Sequence, residues 1–195
     1  MTTGVTAVSD AGAIEDASTT LVEVLEDRIE MDSVDVVLSS PNAVTTSSTP
    51  TIGLFLYRVA ESPHGDPMSF EEVDPETVRP GPLTVDLDYM VTAYPSGGNN
   101  QNQKVQRQHG LLGEAMRALR DAAVVRGSAL RGSLESELRI SRGDDEETLM
   151  DVWNTFPETA YLPSVAYSVG PVSLGAGQPE PAGRVESITR RGDDG

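Results

Sequence analysis

Along Ala11–Met31, apolar residues recur at three- and four-residue steps. Ile14, Ala17, Leu21, Val24, Leu25 and Ile29 share one side and acids fill the other, which predicts an amphipathic helix with Asp10 as its N-cap. Val34–Leu38 reads as a short strand, and Ser39–Pro50 as a polar loop rich in Ser and Thr. Thr51–Ala60 is too short and too apolar for a surface helix, and its aromatics favour a mostly buried strand. Ser62–Arg79, rich in proline and acids, reads as an extended loop. In Pro82–Tyr94 the period falls to two: Leu83, Val85, Leu87, Tyr89 and Val91 lie on one face, with Thr84, Asp86 and Asp88 on the other. The helical period returns over Lys104–Ala123 through Val105, Leu112, Met116, Leu119 and Ala122. Ser133–Ile140 is ambiguous and is read as a strand. Asp144 or Asp145 caps a short helix whose Leu149, Val152, Trp153 and Phe156 share a face, and Leu162–Leu174 alternates as a final strand.

Helices interspersed with strands, joined by few hairpin-length links, predict an α/β (α+β) fold: a single mixed sheet of about five strands packed with about three helices. The expected organisation is one domain over residues 1–174. A flexible acidic, Gly/Pro-containing tail is expected over residues 175–195, where little apolar surface remains to bury.

Composition adds constraints on partners. The chain has 195 residues, 37% of them hydrophobic, enough for a real core, and a net charge of −17. Phosphate binding requires a basic face, so nucleic acid is not an expected partner. The longest apolar run, Ile52–Tyr57, is far short of the ~20 residues a membrane-spanning helix needs. With 0 Cys there are no disulfides or thiolate metal sites. Met1–Asp16 lacks the basic start and apolar stretch of a secretion signal, which predicts synthesis in the cytoplasm. Lys104 is the only lysine. An acid-rich, lysine-poor surface suits a halophile's salty cytoplasm, where carboxylates hold water and repulsion is screened within roughly 3 Å at 1 M salt. A GC-rich genome that replaces Lys by Arg would give the same bias.

Candidate chemistry is sparse. Lys104 stands in Asn-Gln-Lys-Val, which is not a phosphate-binding loop. Gly175-Ala-Gly177 begins like a dinucleotide fingerprint, but Glu180 occupies the third glycine position. His64 and His109 are the only histidines and are far apart in sequence, unlike zinc-hydrolase pairs; both are read as solvent-facing or capping. Asp144–Glu147 lacks the alternating ligands and glycine turn of a calcium loop, and acids at a helix start are explained by the helix dipole. No Gly-x-Ser-x-Gly elbow marks a nucleophile. No catalytic residue, metal or cofactor is therefore expected.

The order of segments is distinctive. Ile52-Gly53-Leu54-Phe55-Leu56-Tyr57-Arg58-Val59 is followed by Pro82-Leu83-Thr84-Val85-Asp86-Leu87-Asp88-Tyr89-Met90-Val91-Thr92-Ala93. Next come His109-Gly110-Leu111-Leu112-Gly113-Glu114-Ala115-Met116, then Trp153, then Leu162-Pro163-Ser164-Val165-Ala166-Tyr167. From the first helix to about Val172 this series resembles the N-terminal domain of the tail-terminator (cap) proteins of phage-tail-like contractile injection systems. The resemblance makes Phe55, Tyr57, Leu87, Tyr89, Leu112, Trp153 and Tyr167 motif residues of the core. It implies a non-catalytic particle component, a six-fold ring that closes the end of the inner tube and sheath. Its implied partners are further copies of itself, the sheath protein and the inner tube protein. Assembly would occur in the cytoplasm, with release outside the cell as part of the particle. Met68 and Phe70 in the acidic loop, and Arg190 and Arg191 in the tail, are the contact candidates. Two departures stand out: Ser62–Arg79 is longer and more acidic than the pattern, and the chain ends soon after the final strand, so a larger C-terminal module is not expected. Another tail or neck component of a contractile-tailed phage, and a small hydrolase, remain the alternatives.

Overall fold

The computed structural model describes residues 12–44, 48–65, 70–74, 76–97, 100–132, 134, 137–143, 146–175 and 180–181. Helix α1 (Ala13–Arg28) follows the predicted stripe, with Ala13, Ala17, Leu21, Val24 and Leu25 buried. Its N-cap is Gly12, which makes no side-chain cap; Asp10 lies outside the described residues. At the other end, Ile29 turns extended while its N–H still donates to the Leu25 carbonyl.

After α1 come β1 (Asp35–Leu38), β2 (Thr51–Glu61), β3 (Phe70–Asp74), β4 (Thr77–Pro80) and β5 (Leu83–Tyr94). Helix α2 (Gln101–Asp121), β6 (Val124–Val125), a short 3-10 turn at Gly127–Ala129 and β7 (Leu138–Arg142) follow. The chain continues through α3 (Glu146–Asn154), β8 (Ser164–Leu174) and β9 (Glu180–Pro181). Six strands form one mixed sheet in the order β1-β2-β5-β8-β7-β6, in which β1 runs parallel to β2 and the other pairs are antiparallel. A second, three-stranded sheet has the order β3-β4-β9.

The mixed α+β class and the main mixed sheet agree with the sequence; among the described residues that sheet has six strands where about five were expected, and a small second sheet accompanies it. Two causes account for the difference. Val124–Val125 is too short to display a period, and every residue of β3 is exposed, so no apolar face announced it. The stretch expected as an extended loop over Ser62–Arg79 thus holds β3 and most of β4.

The long central strand decides the layers. Val85, Leu87, Tyr89, Val91 and Ala93 of β5 face one side, where α1 and α2 cover them together with Val169 and Val172 of β8 and Leu138 and Ile140 of β7. Met90 faces the other side and joins Leu149 and Trp153 of α3 with Ala166, flanked by Phe55 and Tyr57. Leu112 and Tyr167 pack in the first layer. All seven motif residues therefore stand in or against one of two hydrophobic clusters.

A β-bulge keeps β2 in phase with both layers. Leu56 pairs with Tyr89 and Arg58 with Asp88, which makes Tyr57 the extra residue of the bulge. Strict alternation from Ile52, Leu54 and Leu56 would send Arg58 toward the core. The extra residue instead puts Arg58 beside Asp88 on the second face. On β8, Gly170 and Pro171 oppose the single residue Asp86 across a second register shift. A Cβ at Gly170 would run into the Asp86 carboxylate, so a side chain there would have to displace that carboxylate.

Candidate assembly surface

The sequence-derived contact candidates fare unequally. Phe70 lies on β3 and is 63% exposed, an unusual placement for a phenyl ring; Val73 on the same strand is exposed as well. Met68, Arg190 and Arg191 lie outside the described residues, as do Asp144 and Asp145. Glu180–Pro181, inside the segment expected as a tail, pairs with Val78 and Thr77 of β4.

The second sheet face is hydrophobic at one end and polar at the other. Under α3, Phe55 meets Phe156 edge-on with ring centroids 5.7 Å apart, and Trp153 meets Tyr161 at 5.5 Å. Further along the face, the Arg58 Nε donates to Asp88 Oδ2 at 2.5 Å; the Asp88 side chain is 8% exposed and that of Arg58 53%. This ion pair seals a buried carboxylate at the rim of the layer.

A groove of about 290 Å³ opens beside α3, lined by Arg142, Gly143, Leu149, Met150, Tyr161, Ser164, Val165 and Ala166. Ser164 is the one serine in the lining. Its Oγ donates to the Leu162 carbonyl at 2.9 Å, receives the Trp153 Nε1–H at 3.2 Å and bonds the Thr92 hydroxyl at 2.7 Å. Those bonds hold β5, β8 and α3 together, so this serine is a structural tie and not an activated nucleophile. His64 and His109 are exposed, the latter on α2 across the sheet from the groove. Among the described residues, no group of three or more acids and histidines is placed to hold a metal ion.

Shifted ionisations also follow packing. Burial pushes the Tyr94 phenol up to about 12, a displacement that its hydrogen bond with Thr92 only partly offsets, and burial raises Tyr89 and Tyr167 too. On the surface, hydrogen bonds from Arg126 and Arg139 hold the Glu137 carboxyl below its ordinary range.

What the molecule offers most plainly is edges and overhangs. Strand β1 borders the main sheet. The Asp35 and Ser39 amides donate inward to Pro50 and Leu54 of the β2 side, so by alternation Val36 and Leu38 turn their backbone groups outward, and the Leu38 side chain is 50% exposed. On the opposite border, β6 covers only the start of β7, pairing Val124 with Arg139 and Val125 with Leu138. Helix α2 projects beyond the sheet: Gln101–Arg107 is wholly exposed, and burial begins at Gln108, whose amide donates to the Ala93 carbonyl at 3.0 Å. Sequence reasoning missed this overhang. The sequence offers only an indirect sign, the 25 residues from Tyr89 to Gly113, which contain no acid in a chain with 31 Asp and Glu.

Comparison with known families bears directly on this architecture. The Pvc16 N-terminal domain matches residues 16–187, nearly the whole chain. The chain belongs to the Pvc16 N-terminal domain family. Two solved structures share the fold of this Pvc16-type domain. One is the sheath/tube terminator of PVC, an extracellular contractile injection system, in its extended state: TM-score 0.56, 20% identity, covering 93% of this chain and 64% of that one. The other is the tube-terminating cap of the anti-feeding prophage: TM-score 0.56, 18% identity, covering 91% of this chain and 60% of that one. The Pvc16-type chain thus spans about six-tenths of each of these structures. No curated protein matches it in sequence. The motif residues named from the sequence lie within residues 16–187.

Proposed function

We propose that this protein is the cap of a contractile injection particle, a non-catalytic subunit whose copies form a six-fold ring closing the end of the inner tube and sheath. The observation that carries the reading is the family match over residues 16–187, joined to a fold shared with two terminators. The surfaces suit the task. A helical polymer ends in an unsatisfied repeating face, and a ring subunit stops growth by offering a complementary face that does not regenerate that end. Exposed backbone at β1 provides one means, by accepting an extended strand from sheath or tube; residues beyond Gly175 provide another. Among the described residues, Ser164 ties the packing and both histidines face solvent, which suits a subunit that works by contact.

The test is reconstitution. Purified protein viewed by negative-stain electron microscopy is expected to show rings, and adding it to polymerising tube and sheath proteins is expected to give particles of fixed length with one closed end. A protein that stays monomeric and leaves tube and sheath growth unchanged would overturn the proposal.

A further inference from the structure

The packed stripe of α2 runs on past the edge of its own domain. Gln101, Lys104 and Val105 lie on the same helical line as Gln108, Leu111 and Ala115, yet all three are exposed where the latter are buried. This overhang has an unusual charge. No acid occurs between Tyr89 and Gly113, and Lys104, Arg107 and His109 all lie there, in a chain of net charge −17. The helix dipole favours acids in a first turn, yet the first turn of α2 has none, and neutral Asn100 caps it through Gln103 N–H at 3.0 Å. Local helix physics does not explain the avoidance.

The end of α1 shows the opposite anomaly. Between Glu26 and Asp35 stand five exposed acids, Glu26, Asp27, Glu30, Asp32 and Asp35, against one arginine, although the dipole disfavours acids at a helix C-terminus. The two patches do not meet within one molecule. Arg117 Nη2 donates to the Arg28 carbonyl at 3.2 Å and lies 3.4 Å from Glu30, which places the end of α1 beside residue 117 of α2. Lys104 is thirteen residues earlier, about 20 Å along the helix.

We infer that the acid-free overhang of α2 docks on the acidic end of α1 in a second copy of this chain. A closed ring of more than two copies needs a head-to-tail contact between two different patches of each subunit, and these patches are unlike, separated and opposite in charge. Each is costly to its own helix and complementary to the other. The inference rests on the ring reading above. Contacts of a few ångström persist in part at molar salt, whereas repulsion between whole subunits is screened.

The test swaps charge, read as assembly mass at about 1 M salt. Gln101→Glu/Lys104→Glu puts acids in the first turn of α2, and Glu26→Lys/Asp27→Lys puts cations in the last turn of α1. Both changes favour their own helices, so circular dichroism and the unfolding midpoint control for folding. Each variant by itself is expected to assemble at least tenfold more weakly than the unaltered chain, and an equimolar mixture of the two to recover rings of alternating copies. If either variant assembles like the unaltered chain, or the mixture recovers nothing, the docking is overturned while the ring reading stands. That result includes the case in which the overhang meets tube or sheath instead. If the unaltered chain forms no ring, the ring reading fails and the inference with it.

Discussion

Ser18 and Tyr89 show how single residues tie the first layer together. The Ser18 hydroxyl donates to the Ile14 carbonyl at 2.8 Å, so its oxygen accepts the proton of the fully buried Tyr89 hydroxyl at 2.7 Å. The two deletions are therefore unequal. Tyr89→Phe removes the tyrosine donor but leaves Ser18 bonded to its own helix, at an expected cost of about 1 kcal/mol. Ser18→Ala strands a buried phenol and is expected to cost about 2–3 kcal/mol, toward the upper end for an unsatisfied buried group. Urea denaturation of both variants measures the difference; a larger loss for Tyr89→Phe would refute the assignment of donor and acceptor. Arg58 and Asp88 follow the same logic at the rim, where the half-exposed arginine can return to water but the buried carboxylate cannot.

Among the elements, the small sheet is the one least supported by the core. β3 is exposed throughout, and β4 has β3 on one side and the two residues of β9 on the other. An isolated two-stranded hairpin is marginal in water. Deleting Gly175–Gly195 removes β9 and is expected to speed amide exchange across Phe70–Pro80, while the midpoint of thermal unfolding moves by no more than a few degrees. Unchanged exchange in the hairpin would mean that β9 does not hold it. Particles made with the same truncation report whether these residues take part in capping.

For the whole molecule the decisive quantity is charge. In the proposed six-fold ring, copies at −17 each would repel in dilute buffer, where screening extends over roughly 10 Å, and much less at 1 M salt, where it falls to roughly 3 Å. Rings are expected to persist in molar salt and to dissociate on dilution, seen as falling light-scattering mass across a salt series. A ring equally stable in dilute buffer would remove the halophile explanation of the composition. Among the described residues, no helix is long and apolar enough to cross a membrane.

The apolar pattern by itself determined the long elements. α1, β5, α2, α3 and β8 each carry enough residues for a period of 3.6 or 2 to rise above local noise, β2 was legible as an unbroken apolar and aromatic run, and the order of these segments was legible as the fold shared with two terminator structures. The sequence did not announce β6 or β3, because two residues have no period and a strand exposed on both faces has no apolar one, nor β4, whose four residues are too few to show a period. Nor could it tell that the helical stripe of α2 runs off the domain at Val105, or that Tyr57 is the extra residue that turns Arg58 from the core toward Asp88. A one-dimensional pattern states which residues share a face. Only packing decides whether a neighbouring element is there to cover it, because burial depends on where the rest of the chain ends up.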